Sequence, residues 1–219
     1  MNNNYFDHTP TPWEDVLTIR SKLSEFIKAH RLAHTLSVEL QAIDMAKIIF
    51  PILGIDEVYL SDVSCAALLH DITKQMPMEQ HIELCKKYNI DIDYETENNN
   101  AMLHSKTAAF LAKDLFNVNE CVFEAIYNHT VGSCDMDIIS RIIFLADYIE
   151  PSRSADACKT TRELFYSSLT ENHDNALAVL NMCIIQSIDM TLKYLCEQNQ
   201  PIHIQTVKTR NSILKEVQR

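Results

Sequence analysis

The sequence predicts an all-α helical bundle, and three observations predict it. Apolar residues recur at helical spacing through one segment after another, and no segment alternates apolar and polar residues long enough to argue for a strand. The 219 residues, 47% of them apolar, suffice to bury one core. Residues 1 to 12, rich in Asn, Thr and Pro, read as a flexible lead-in. Val16, Ile19, Leu23, Phe26 and Ile27 then set a first helix over residues 13 to 30. Leu36, Leu40, Ile43 and Ala46 carry a second to Phe50, where Pro51 and Gly54 break it. Ser61 and Asp62 are placed to cap a third, whose run Cys65-Ala66-Ala67-Leu68-Leu69 delivers His70 and Asp71 at its C-terminal end. Met78 to Tyr88 is a short amphipathic helix, and the acidic, Asn-rich stretch Asn89 to Asn100 reads as a solvated connection rather than a lid. Helices follow over 103 to 116, 119 to 131 and 136 to 149, the last stopped by Pro151. A long helix over 173 to 197, carrying Leu177, Leu180, Ile184, Ile188, Leu192 and Leu195, either packs across the core or pairs with a second copy in a homodimer. The organisation is thus a lead-in (1–12), one domain (13–197) and a C-terminal extension (198–219).

Composition excludes several functions. Gly54 and Gly132 are the only glycines, so neither a GxGxxG dinucleotide turn nor a P-loop can be assembled. Phosphate binding must come from side chains, metals or helix N-termini. A formal charge of −11 argues against a nucleic-acid polymer, whose affinity rests on Lys and Arg displacing counterions. The seven cysteines are scattered, odd in number and form no CxxC pair, which suits a reducing compartment. The first residues show neither a basic region nor an apolar core of a signal peptide, and no apolar stretch reaches the ~18 to 20 residues needed to span a bilayer. The expectation is a cytoplasmic protein without a membrane partner.

The chemistry lies where His and Asp interrupt apolar helix. His34, the pair His70-Asp71, His104, His129 and Asp147 each border strongly apolar sequence, where an unpaired polar group costs about 1 to 3 kcal/mol. Any one of them reads best as a satisfied core residue. Together they form the donor set that a divalent transition metal recruits, and ligands from separate helices can enclose one or two ions in a bundle. Lys74 follows His70 by one turn, where a cation can meet a phosphate polarised by the metal. His8, His30, His81, His173 and His203 lie in polar surroundings and read as surface residues.

The order His34, His70-Asp71, His104, His129, Asp147 resembles the HD superfamily of metal-dependent phosphohydrolases. The strings RLAHTL (31–36), LLHDITK (68–74), MLHSKTAA (102–109), AIYNHTVG (125–132) and FLADYIEPSR (144–153) resemble, within it, the YqeK family of symmetrical diadenosine tetraphosphate hydrolases. The likeness covers residues 31 to 153 and departs at Ser105-Lys106, where the family more often has Gly and a small residue or Pro. It implies an HD-domain helical bundle with His34, His70, Asp71 and Asp147 as ligands of a metal, usually iron. His104 and His129 are then ligands of a second ion or, with one metal bound, donors to a substrate phosphate. Arg31, Lys74, Thr130 and Arg153 are the further nucleotide contacts, and Asp71, Lys74, His104 and His129 carry the catalysis. The implied reaction is attack of a metal-activated water on an inner phosphorus of the dinucleotide, releasing two ADP. The partners are then a dinucleoside polyphosphate and a nucleoside diphosphate. The alternatives are another HD phosphohydrolase, acting on a nucleoside monophosphate or cyclic nucleotide, and a nucleotide-sensing module without turnover.

Overall fold

Residues 6–97, 99–171 and 173–218 are described by a computed structural model, with the side chain of His173 outside the description. Among the described residues the regular structure is helical throughout: α1 (Trp13–Phe26), α2 (Ala29–Leu53), α3 (Leu60–Leu69), α4 (Met78–Tyr88), α5 (Asn100–Phe116), α6 (Glu120–Asn128), α7 (Ile138–Ile149), α8 (Asp156–Glu171), α9 (Ala176–Glu197) and α10 (Ile204–Val217).

At the centre lies α3, all ten of whose residues are buried, packed against α1, α2, α6 and α7. Around it Phe50, Met45, Ile49, Leu68, Leu69, Ile126, Ile139 and Ile142 are sealed from solvent, each such side chain contributing about 1.5 to 3 kcal/mol on burial. The outer layer is α8, α9 and α10, with α9 seated on α7. This arrangement aims the C-terminal ends of α3 and α6, the first turns of α2 and α5, and the last turn of α7 at one place.

Several expectations change. The first helix stops at Phe26, because Ile27 and Lys28 are extended, and a new helix starts at Ala29. Arg31 and His34 therefore sit in the first two turns of α2. Pro51 lies inside the last turn of α2, which ends at Gly54 in the left-handed conformation (φ 69°). Asp62, expected as a helix cap, is buried and accepts from Thr11 N (2.8 Å), Thr11 Oγ1 (2.6 Å) and Asn119 Nδ2 (2.8 Å), with His8 Nε2 at 2.9 Å. Residues 6 to 11 of the expected flexible lead-in are thereby tied down, with Phe6 buried; residues 1 to 5 lie outside the described residues. In the stretch 89 to 100, Asp93 caps a turn through Thr96 and meets His203 Nε2 at 3.1 Å and Lys106 Nζ at 3.4 Å.

Two helices appear where none was expected, α8 and α10. The second presses Thr209 against Gly132, where a Cβ would come within 2.4 Å of the Thr209 methyl. Gly132 also has φ 73°, so only glycine lets the loop after α6 turn under α10. The expectation that no apolar stretch is long enough to span a bilayer needs correction: α9 is long and apolar enough by length and composition alone. Its apolar residues Val179, Leu180, Cys183, Ile184 and Ile188 are buried within the bundle, as in any core helix.

Candidate metal centre

Five helices deliver six side chains to one buried point. His34 comes from α2, His70 and Asp71 from the turn that ends α3, His104 from α5, His129 from the turn that ends α6, and Asp147 from α7. Asp71 is the hub. Its Oδ2 lies 3.7 Å from His34 Nε2 and 3.5 Å from His70 Nε2, while its Oδ1 lies 3.1 Å from His104 Nε2 and 3.7 Å from His129 Nε2. Asp147 Oδ1 closes the first side, 3.1 Å from His34 Nε2 and 4.0 Å from His70 Nε2. The result is three overlapping triads with a shared carboxylate between two halves: His34, His70 and Asp71; His70, His129 and Asp147; Asp71, His104 and His129.

The imidazole tautomers test whether a metal fits. His70 Nδ1 donates to the Ala67 carbonyl (2.6 Å), His129 Nδ1 to the Ile126 carbonyl (2.7 Å), and His34 Nδ1 to Glu150 Oε1 (3.1 Å). Each Nε2 therefore turns a lone pair inward, toward other lone pairs and carboxylate oxygens. His34 Nε2, His70 Nε2 and Asp71 Oδ1 are buried with no hydrogen-bond partner. Buried acceptors facing acceptors are costly unless a cation lies between them, so the donor set fits a divalent metal of the His/carboxylate class.

The electrostatics agree. Burial alone would raise the Asp71 and Asp147 carboxyls; the imidazoles beside them, and Arg153 next to Asp147, outweigh it and hold both well below the usual range. Burial opposes the charged form of His70, yet the Asp71 and Asp147 carboxylates lift it above its ordinary value. His104 is pushed down to about 3 by burial, with Lys74 acting in the same sense against Asp71. His129 is lowered by burial as well, so both are neutral at pH 7 and free to ligate or to hydrogen bond.

Cations ring this point. Arg31 Nη1 donates to Asp71 Oδ2 (3.0 Å), and Arg153 donates through Nη2 to Asp147 Oδ1 (2.7 Å) and through Nε to the Asp147 carbonyl (3.0 Å). Lys74 Nζ lies 3.0 Å from His104 Nε2 and 3.8 Å from Asp71 Oδ1, and Thr130 Oγ1 is 3.4 Å from His104 Nε2. A cavity of about 280 Å³ opens beside them, lined by Lys74, His129, Thr130, Asp147 and Arg153 on its polar side and by Met102, Phe144 and Ile188 on its apolar side. Every residue singled out in the sequence, Arg31, His34, His70, Asp71, Lys74, His104, His129, Thr130, Asp147 and Arg153, thus stands within this one constellation. Lys106, at the departure from the family pattern, points away, to the Asp91 carbonyl and Asp93.

Sequence reasoning missed the supports. Glu150 is buried and accepts from His34 Nδ1, Ser37 Oγ (2.6 Å) and Ser152 N (2.6 Å). Burial would raise its carboxyl, but those donors hold it below the usual value. His81, expected at the surface, is fully buried with Nδ1 2.9 Å from Thr107 Oγ1, behind the helix that carries His104. His203, also expected at the surface, is buried against Asp93. Glu150→Gln removes the charge that orients and enriches the His34 ring, so metal affinity should fall about 10- to 100-fold. Competition with a chromophoric chelator measures this, and an affinity within twofold of the wild type would remove Glu150 from the site.

The comparisons with known proteins concur. Residues 31–152 match the HD domain family. The chain is 31% identical over 205 residues to the symmetrical bis(5'-nucleosyl)-tetraphosphatase of Halalkalibacterium halodurans, covering 90% of this chain and 98% of that one. It is 29% identical to the protein of the same name from Bacillus subtilis, over 90% of this chain and 95% of the relative. A solved structure from Clostridium acetobutylicum, described as a predicted HD superfamily hydrolase involved in NAD metabolism, superposes with a TM-score of 0.77 at 27% identity, covering 94% of this chain and 99% of that one. With its six converging His and Asp side chains on a helical bundle and that match over more than half its length, the chain belongs to the HD-domain family.

Proposed function

We propose that this protein is a metal-dependent hydrolase that splits diadenosine tetraphosphate symmetrically into two ADP. The observation that carries the proposal is the pairing of a metal-ready cage with Arg31, Lys74 and Arg153 on its rim, a charge pattern suited to a polyphosphate held against a cation. In this reading His34, His70, Asp71 and Asp147 hold the ion, and iron is the expected occupant. Asp71 also faces His104 and His129, which hold a second ion or donate to the substrate phosphate. When bound, such an ion supplies Lewis acidity and a water activated near neutral pH.

The chain's own groups supply the rest. Lys74, Arg31 and Arg153 offset the charge of the four phosphates and fix which phosphorus faces the cage. Thr130 adds a hydroxyl donor. His104, neutral through burial, acts as a hydrogen-bond donor and not as a strong acid, whereas His129, its one proton held by the Ile126 carbonyl, offers only the Nε2 lone pair and suits a second ion. Little acid is needed, because water adding across the central P–O–P bridge expels ADP, already a good leaving group. Seven free cysteines and no disulfide accord with a cytoplasmic setting. Homodimerisation through α9 stays an expectation of the sequence alone.

Anaerobic purification, metal analysis and product chromatography with diadenosine tetraphosphate, beside AMP and a cyclic dinucleotide, test the proposal. ADP as sole product with iron bound is the expected result. ATP plus AMP as products would overturn the symmetrical cleavage, survival of the tetraphosphate while a control is consumed would overturn the substrate assignment, and either would leave the metal cage standing.

A further inference from the structure

The turn that follows α7 carries two of the groups that matter most. Glu150 orients His34 from one side of it, and Arg153 holds Asp147 from the other. Within the turn, Ser152 donates through N (2.6 Å) and Oγ (2.5 Å) to the Glu150 carboxylate. Pro151 has no N–H to give and stops the helix, so the last carbonyls of α7 lose their intrahelical donors. The backbone–backbone bond that closes the turn runs from Arg153 N to the Glu150 carbonyl, at 3.0 Å.

A residue of α8 supplies the missing donors. Arg162 Nε donates to the Ile149 carbonyl (2.5 Å), and its Nη2 donates to the carbonyls of Glu150 (2.6 Å) and Arg153 (3.2 Å). One planar guanidinium therefore grips the last residue of α7 and the first and last residues of the turn. Its charge also sits at the C-terminal end of α7, where the helix dipole favours a cation. All three bonds go to backbone and none to a cage side chain. Arg162 lies outside the residues 31–152 that match the family.

We propose that Arg162 is a positioning residue: by holding the backbone of Ile149, Glu150 and Arg153 it sets Glu150 against the metal ligand His34 and Arg153 toward the substrate phosphates. It acts through those two side chains and touches neither metal nor substrate. The part concerning phosphate rests on the tetraphosphatase reading above; the part concerning metal does not.

The test uses the full chain and Co²⁺ as probe, with affinity read by competition against a chromophoric chelator. Arg162→Met should weaken Co²⁺ binding about tenfold, and it should raise KM for diadenosine tetraphosphate about tenfold while kcat at saturating metal changes less than about threefold. Arg162→Lys keeps the charge but not the fork, so it should shift both in the same direction. The Lys variant carries the test if the Met variant fails to fold. The deciding measurement is a double-mutant cycle with Glu150→Gln. If Arg162 acts through Glu150, the double variant binds Co²⁺ within about twofold of Glu150→Gln alone. Penalties that multiply, or Co²⁺ affinity unchanged in both Arg162 variants, would overturn the proposal, since a merely structural arginine lowers thermal stability without that coupling. Were the tetraphosphate not a substrate, only the KM measurement would be lost and the Co²⁺ cycle would still decide.

Discussion

Asp71→Ala leaves a chain that purifies with little or no metal and turns over substrate about 1,000-fold more slowly or worse, the loss expected when several kcal/mol of metal-derived stabilisation disappear. Asp71 differs from the other proposed ligands in facing both halves of the cage. Its Oδ2 faces His34 and His70, its Oδ1 faces His104 and His129, and the same carboxylate receives Arg31. Truncation removes a ligand from each half at once and strips His70 of the carboxylate that lifts its pKa. Four imidazoles and Arg31 are then left facing one carboxylate inside the cage, Asp147, with Glu150 behind His34, which disfavours a divalent cation further. Asp71→Asn is the sharper control, because it keeps the volume and hydrogen-bonding shape while removing the charge. Both variants should lose metal by elemental analysis. Turnover within tenfold of wild type in either, or full metal content in the alanine variant, would sink the ligand assignment.

The sequence carried the cage because its members interrupt apolar helices in a fixed order, and interruption of that kind is visible without any tertiary information. What stayed hidden was whatever depends on a distant partner or on inward-facing residues that do not look apolar. The inward positions of α10 are Thr206, Thr209 and Ile213, and those of α8 are Cys158, Thr161, Phe165 and Leu169. Threonine scores as polar in a binary pattern, yet Thr209 is buried with its hydroxyl donating to the Val131 carbonyl at 3.1 Å, so the period is present and disguised. The break between α1 and α2 escapes notice for the opposite reason: apolar spacing runs on through Ile27, and no Gly or Pro marks the extended pair Ile27 and Lys28. His81 reads as exposed because Glu79, Gln80 and Glu83 surround it in sequence, although its own face of α4, shared with Cys85, turns inward. Glu150 is 116 residues from the histidine it orients, and no local pattern can announce such a pair. The converging His and Asp residues, in short, were legible one by one, whereas their supports exist only once the helices have packed.

Lys74→Ala should separate binding of the metal from handling of the phosphates. Lys74 is not placed to be a ligand, since an ammonium has only donors and its Nζ lies beside His104 and 3.8 Å from Asp71 Oδ1. It does line the cavity next to the cage, with its side chain 30% exposed and able to reach a bound anion. Removing it should leave metal content at the wild-type level and lower kcat/KM for the tetraphosphate about 100-fold, a loss in the range measured when one preorganised donor to a developing charge is deleted. Added salt should shrink the difference between wild type and variant, because a partly exposed charge is screened where a buried one is not. Lys74→Arg should recover only part of the loss, since a planar fork cannot occupy the place of a compact ammonium packed against an imidazole. Metal lost together with activity would instead make Lys74 a brace for His104 and Asp71. Full activity with full metal would leave Arg31 and Arg153 as the cations that meet the substrate.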